Sequence, residues 1–247
     1  MNQKDTMSAL PTGTVTFLFT DIEGSTNLWE EFPEAMKAAL AKHDSILKEA
    51  VESNHGQIVK TTGDGIHAVF TTAIDAINAA IQSQHQLNSL ILNYELPITN
   101  LQSPISSLSL KSRMGLHAGE AELREGDYFG QTLNRAARIM SAGHGGQILI
   151  SDIVAQVASE HLSAGVSFLE LGEHYLKGVV QAEKIYQIVA LNLQKDFPPL
   201  NSIPTATNNL PTQLTSFIGR ERELNDASEK LESAKLLTLI GPGGTGK

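Results

Sequence analysis

Cysteine is absent from all 247 residues, so neither a disulfide framework nor a thiolate metal site can form. A reducing cytoplasm is the expected location. Positive charge is in short supply: 18 Lys and Arg stand against 27 Asp and Glu, a formal net charge of −9. That balance argues against a nucleic-acid-binding surface. An anionic substrate would need local help from metal ions and a few placed Arg or Lys side chains. Long apolar runs are missing too. Residues 1–13, MNQKDTMSALPTG, hold no stretch suited to a signal peptide, and nothing later approaches a membrane span, so no membrane partner is expected. What remains is an ordinary globular composition, 41% hydrophobic and 18% charged, long enough for one sizeable domain and part of another.

The densest local pattern is Gln57–Phe70, QIVKTTGDGIHAVF. Two short β-branched runs meet at Gly63-Asp64-Gly65, the pattern of a tight hairpin whose tip projects a carboxylate. Asp-Gly is good turn chemistry in any protein. A second acid in a similar place adds meaning: the strand-like run Val15–Thr20 stops at Asp21. If that strand lies beside the hairpin, two carboxylates share neighbouring strand ends and can hold a pair of divalent cations, an arrangement suited to phosphoryl or nucleotidyl transfer.

After Asp21 comes EGST, where Gly24 bends the chain and Ser25 or Thr26 is expected to cap a helix whose N-terminus suits phosphate. Pro33 opens a helix with an apolar stripe from Met36 to Val51, and His43 on that stripe reads as a packed core residue. A second amphipathic helix follows Thr72. Residues 94–109 read as a loop, Leu110–His117 as a strand, and Gly130–Met140 as a short helix placing Asn134 and Arg138 on one face. A strand at Gln147–Ile150, a helix opened by Ser151, and strands near Val166–Leu171 and Lys184–Val189 complete an alternation of strands and helices. Asn192–Ser216 carries four of the nine prolines and reads as a linker. Beyond it, a helix at Glu221–Ser233 and a strand at Lys235–Ile240 precede GPGGTGK, in which Gly241, Gly246 and Lys247 match a P-loop lacking its final Ser or Thr.

Five segments, FTDIEGST, KTTGDG, RMGLHAGE, DYFGQTLNRAAR and LGEHYLKG, together resemble the class III nucleotidyl cyclases, in family order from Thr14 to Val189. The resemblance implies an α+β fold: a ferredoxin-like βαββαβ catalytic domain over 14–190, with helices packed on a mainly antiparallel sheet. It also implies 3′,5′-cyclisation of a nucleoside triphosphate with two divalent cations per site, Mg2+ or Mn2+. Asp21 and Asp64 would be the metal-binding aspartates, with Ile22 adding its backbone carbonyl. Lys60 and Asp127 would read the base. A Lys donor and an Asp acceptor complement adenine's N1 and 6-amino group, and guanine reverses that pattern. Asn134 would orient the ribose and Arg138 would neutralise charge on the α-phosphate. Arg113, Lys177, Gly24, Ser25 and Thr26 match triphosphate contacts.

Family members complete each site with two chains, so a head-to-tail homodimer acting on ATP is implied. Asp21, Asp64 and Arg113 would come from one protomer, and Lys60, Asp127, Asn134, Arg138 and Lys177 from its partner. The stretch Gly119–Asp127 is short for the family and resembles the subclass with a reduced dimerisation arm. The tail, read as the truncated start of a further domain over 217–247 after a linker at 191–216, resembles the opening of NB-ARC-like P-loop signalling ATPases. A catalytically silent dimerisation module, a guanylate cyclase and another two-metal palm-type enzyme are the alternatives. The first usually lacks a site residue, the second is disfavoured by Lys60, and the third does not need the Lys60/Asp127 pair.

Overall fold

The structure, a computed structural model, describes residues 10–90, 92–93, 107–108, 110–179, 181–204, 225–230 and 238. The chain divides into two compact units, Met1–Ala206 and Thr207–Lys247. In chain order the first unit contains β1 (Thr14–Ile22), α1 (Ser25–Glu31), α2 (Pro33–Ser53), β2 (Gln57–Thr62), β3 (Gly65–Phe70), α3 (Ala73–Ser89) and the two-residue strands β4 (Leu92–Asn93) and β5 (Ser107–Leu108). There follow β6 (Ser112–Glu120), β7 (Glu122–Arg124), β8 (Asp127–Phe129), α4 (Gln131–Ala142), β9 (Ile148–Ser151), α5 (Asp152–Ala158), β10 (Ser167–Tyr175), β11 (Glu183–Val189) and β12 (Ile203–Pro204). In the second unit, residues 225–230 are helical; the expected P-loop residues Gly241, Gly246 and Lys247 lie outside the described residues.

The main sheet runs β12-β10-β11-β9-β6-β1-β3-β2. Every pairing in it is antiparallel except β6 with β9. Its half β6-β1-β3-β2, linked by α2 and α3, is the expected ferredoxin-like βαββαβ unit. The alternation of β1 explains the layering. Leu18 joins Leu47 and Val51 of α2, Ala76 and Ile77 of α3, and Val154 of α5 in one core on one face. Val15 and Phe17 join Val69, Tyr128 and Ala136 of α4 on the other. Phe17 and Leu18 are fully buried, each worth about 2 kcal/mol in apolar transfer.

Helix boundaries follow local chemistry. Pro33 stands at the start of α2, where no N–H is needed. Thr72 caps α3 by accepting from the Asp75 N–H at 3.1 Å, and Ser151 caps α5 by accepting from Val154. His43 is fully buried, as its place on the stripe predicts. Ser25 and Thr26 do not cap α1. Gly24 takes that position with φ 70° and no side-chain cap, because a tight left-handed step suits glycine better than a hydroxyl residue. The expected loop 94–109 lies almost wholly outside the described residues.

Two features are new to the structure. Glu122–Phe129 folds as the small hairpin β7-β8. Residues 191–204, part of the expected linker, belong to the first unit and pack on α4 and β10: Asn201 N–H donates to the Ala142 carbonyl at 2.8 Å, and β12 adds to the edge of β10.

Candidate active site

The carboxylates are placed by β1 and its neighbours. The hairpin β2-β3 turns at Gly63-Asp64, with Gly63 at φ 66° and Thr62 paired to Gly65. Positive φ at the first central residue fits a II′ turn. Gly65 then passes so close to β1 that a Cβ there would sit 1.9 Å from the Thr20 carbonyl oxygen and 3.3 Å from Asp21 Cα. The Ile66 N–H donates to Thr20 Oγ1 at 3.0 Å. The tip bearing Asp64 is thus held against the end of β1 bearing Asp21. Asp64 Oδ2 is buried without a hydrogen-bond partner.

Arg113 stands directly opposite Asp21 in the β1-β6 register. Its Nε and Nη2 donate to Asp21 Oδ2 at 2.8 and 2.5 Å, and Nη1 reaches the Ser141 carbonyl at the end of α4. That end of α4 lies close because residue 115 is glycine; a Cβ there would come within 2.3 Å of Met140 N.

A second grouping forms on the α4 face. Lys60 Nζ donates to Asp127 Oδ2 at 3.3 Å. A β-bulge makes this pairing: Ile58 opposes Ala68, but Lys60 opposes His67, leaving Val59 as an extra residue. One added residue flips the alternation and sends Lys60 to the side where His67 packs against Phe17, Phe19 and Tyr128. Burial tends to raise the Asp127 carboxyl, but the Tyr128 N–H and the Lys60 ammonium outweigh it and leave it below its ordinary value. His67 is lowered to about 4 by burial, with Asp127 pulling upward and Lys60 downward. His117, beside Phe17 on β6, is likewise lowered to about 4 by burial and then by Arg135.

Asn134 and Arg138 both face solvent from α4, whose opposite side buries Thr132, Ala136 and Ile139. Asn134 lines a cavity of about 370 Å³ with Gly178, Val179 and Gln181, the segment just after exposed Lys177. The structure therefore brings Asp21, Asp64 and Arg113 to one place. It joins Lys60 to Asp127 and sets Asn134 near the Lys177 segment. Among the described residues, no hydrogen bond or ion pair links the first set to the second.

Sequence reasoning missed the Arg113–Asp21 pairing and the bulge. Opposite charges at two strand ends were visible for the former. The latter has no local signature in the run IVKTT.

Residues 7–190 match the family Adenylate and Guanylate cyclase catalytic domain. An uncharacterized protein of Mycobacterium tuberculosis is 35% identical over 219 residues, covering 87% of this chain and 70% of that protein. An adenylate cyclase of Podospora anserina is 35% identical over 161 residues, 60% of this chain but only 8% of that protein. Among solved structures, adenylate cyclases of Trypanosoma brucei in their monomeric state superpose with a TM-score of 0.64 at 28% identity, covering 78% of this chain and 95% of that one. An adenylate/guanylate cyclase/hydrolase from Silicibacter pomeroyi gives 0.59 at 28% identity, covering 71% and 96%.

The chain belongs to the adenylate and guanylate cyclase catalytic domain family. Its enzyme class is nucleotidyl cyclase. The family match stops at residue 190, and nothing in these likenesses supports an NB-ARC-like domain behind it. Among the described residues no helix is long and apolar enough to cross a membrane.

Proposed function

We propose that the chain converts ATP to 3′,5′-cyclic AMP and pyrophosphate at two composite sites of a head-to-tail homodimer. The observation that carries the choice of ATP is the Lys60–Asp127 pair at 3.3 Å on the α4 face. A positioned ammonium donor and a carboxylate acceptor complement adenine's edge, and guanine would meet two mismatched groups. In the reaction the ribose 3′-oxygen bonds to the α-phosphorus, the bond to the pyrophosphate oxygen breaks, and the hydroxyl proton is released.

The residues present fit divalent cations. Asp64 Oδ2 is a buried carboxylate oxygen lacking any partner, beside the strand end that carries Asp21. Hard cations of this kind are commonly held by one or two carboxylates and completed by substrate phosphates. Asp21, Asp64 and the Ile22 carbonyl would hold them. When bound, the cations supply activation of the 3′-hydroxyl and charge neutralisation on the phosphates; their identity, Mg2+ or Mn2+, is part of the proposal. Arg113 and Lys177 bind the triphosphate with the first-turn N–H groups around Gly24, Ser25 and Thr26. Asn134 orients the ribose, and Arg138 stabilises the charged α-phosphate.

The two-protomer site is supported by the lack, among the described residues, of any hydrogen bond or ion pair joining the carboxylate set to the base-reading set, and by Asn134, Arg138 and Lys177 turning to solvent. The test is cyclic nucleotide formation by the purified chain with Mn2+ and either ATP or GTP, beside Asp64→Ala. Cyclic AMP from ATP alone, lost in the variant, is expected. No product from either nucleotide, in a sample shown to be dimeric, would overturn the reading in favour of a silent module.

A further inference from the structure

The segment 191–204 is fastened at three points, to the end of α4, to the turn that follows it, and to β11. Asn201 N–H donates to the Ala142 carbonyl at 2.8 Å. The His144 ring meets the Pro199 carbonyl through Nε2 at 3.0 Å. Gln187 donates to the Lys195 carbonyl at 2.7 Å and accepts from Gln147 Nε2 at 2.7 Å. Gln147 Oε1 in turn accepts from the His144 N–H at 3.0 Å. Gln147 and Gln187 are both almost wholly buried, so these bonds are shielded from competing water.

The other side of the same turn presses on the segment after Asp21. His144 Nδ1 lies 3.7 Å from Glu23 Oε1. A Cβ on Gly145 would fall 2.5 Å from Lys111 Cβ and 3.0 Å from Glu23 Oε2, so the backbone is wedged between them. The Glu23 N–H donates to the Lys111 carbonyl at 3.0 Å, and Gly146 N–H to the Ser112 carbonyl at 2.8 Å. Glu23 sits between Ile22 and Gly24.

We infer that residues 191–204 act as a strap, and that His144 is the positioning residue through which the strap holds the Asp21–Gly24 turn in place. The reason is continuity of contact: the Pro199 carbonyl meets the imidazole, and the imidazole lies 3.7 Å from the partly exposed Glu23 carboxylate. Gly145 packs against Lys111, whose carbonyl accepts the Glu23 N–H. The same strap holds the far edge of the sheet. Ser202 Oγ donates to His174 Nδ1 at 2.9 Å, and Ile203 pairs with Tyr175, two residues before Lys177. Whatever is joined to the chain after residue 204 can thereby pull on two segments at once. The kinetic part of this inference rests on the proposed cyclase site; the structural coupling does not.

The experiment is amide exchange on the full chain, comparing wild type with Asn201→Pro, His144→Ala and His144→Gln. Asn201→Pro removes the N–H given to Ala142, nearly 180 residues along the chain from Glu23. Exchange in residues 22–28 should quicken about tenfold in Asn201→Pro and His144→Ala, with the central strands unchanged. His144→Gln, which keeps a side-chain donor for the Pro199 carbonyl, should recover most of the protection. In the same samples KM for ATP should rise five- to twentyfold in His144→Ala while kcat stays within twofold. Unchanged exchange at 22–28 overturns the proposal. So does uniform acceleration through the sheet, which would make the strap a source of general stability only. Quickened exchange without any cyclase activity in wild type would overturn the cyclase reading and leave the coupling standing.

Discussion

Arg113 and Asp21 face each other across adjacent antiparallel strands, and two guanidinium N–H groups converge on one carboxylate oxygen. Each side chain is about three-quarters buried, at 25% and 27% exposure, so the pair is stronger than a surface ion pair. It fixes the orientation of a proposed metal ligand and keeps a proposed triphosphate contact beside it. Arg113→Ala should lower kcat/KM for ATP about 100-fold. Arg113→Lys should stay nearer the alanine variant than wild type, because lysine offers one point charge in place of a fork. Steady-state kinetics with both variants checks this; full recovery by lysine would contradict it.

On the proposed reading, base choice depends on which face of β2 carries Lys60. Lys60→Glu should cut ATP turnover at least 100-fold and raise the GTP-to-ATP ratio, since glutamate accepts from guanine N1–H. Deleting Val59 removes the extra residue but keeps Ile58 opposite Ala68 and Lys60 opposite His67, so Lys60 stays on the His67 face. The preference for ATP over GTP should then survive the deletion. Parallel assays with the two nucleotides distinguish the variants.

Gly65→Ala tests the close approach of the hairpin to β1. A methyl group aimed at the Thr20 carbonyl from 1.9 Å forces the strands apart, at a cost of about 1–3 kcal/mol. It also moves Asp64 relative to Asp21, and a displacement of about 1 Å is enough for a 100-fold loss of rate. Urea unfolding and cyclase assays read the two effects. An alanine variant as stable and active as wild type would show that the tip is not held by this contact.

Stability should fall with acid in a defined window. His67 and His117 have values lowered from 6.5 to about 4. Below about pH 6.5 the unfolded chain takes up two protons that the native core refuses, so stability is level above that pH and declines until about pH 4. At pH 5 each histidine costs about 2 kcal/mol. Urea midpoints at pH 7 and pH 5 should separate clearly for wild type. The gap should shrink in the double variant His67→Gln, His117→Gln, the remainder coming from buried His43, which burial also lowers.

The ferredoxin-like unit was legible because its strands and helices announce themselves by period: the stripe of α2, the caps at Thr72 and Ser151, the Asp-Gly turn. The candidate residues were legible as motifs, and the structure brings Asp64 near Asp21 and Lys60 to Asp127. What the chain did not disclose was non-local. The hairpin β7-β8 is three residues to a strand, too short for alternation to register. The strap at 191–204 looks like linker because it is proline-bearing and without apolar period, yet its carbonyls are bound by His144 and Gln187 from far along the chain. Ser25 and Thr26 had the chemistry of caps, and the bend demanded by Gly24 placed them one step too late.

The bulge at Val59 also bears on how the protein behaves when concentrated. Among the described residues β2 is the outermost strand on its side of the sheet. A straight edge of that kind is a template on which another copy can lay a strand and begin a fibril. The extra residue breaks the even spacing of the backbone groups, and Lys60 sets a charge beside the break. The irregularity that turns Lys60 toward Asp127 therefore doubles as a guard against aggregation.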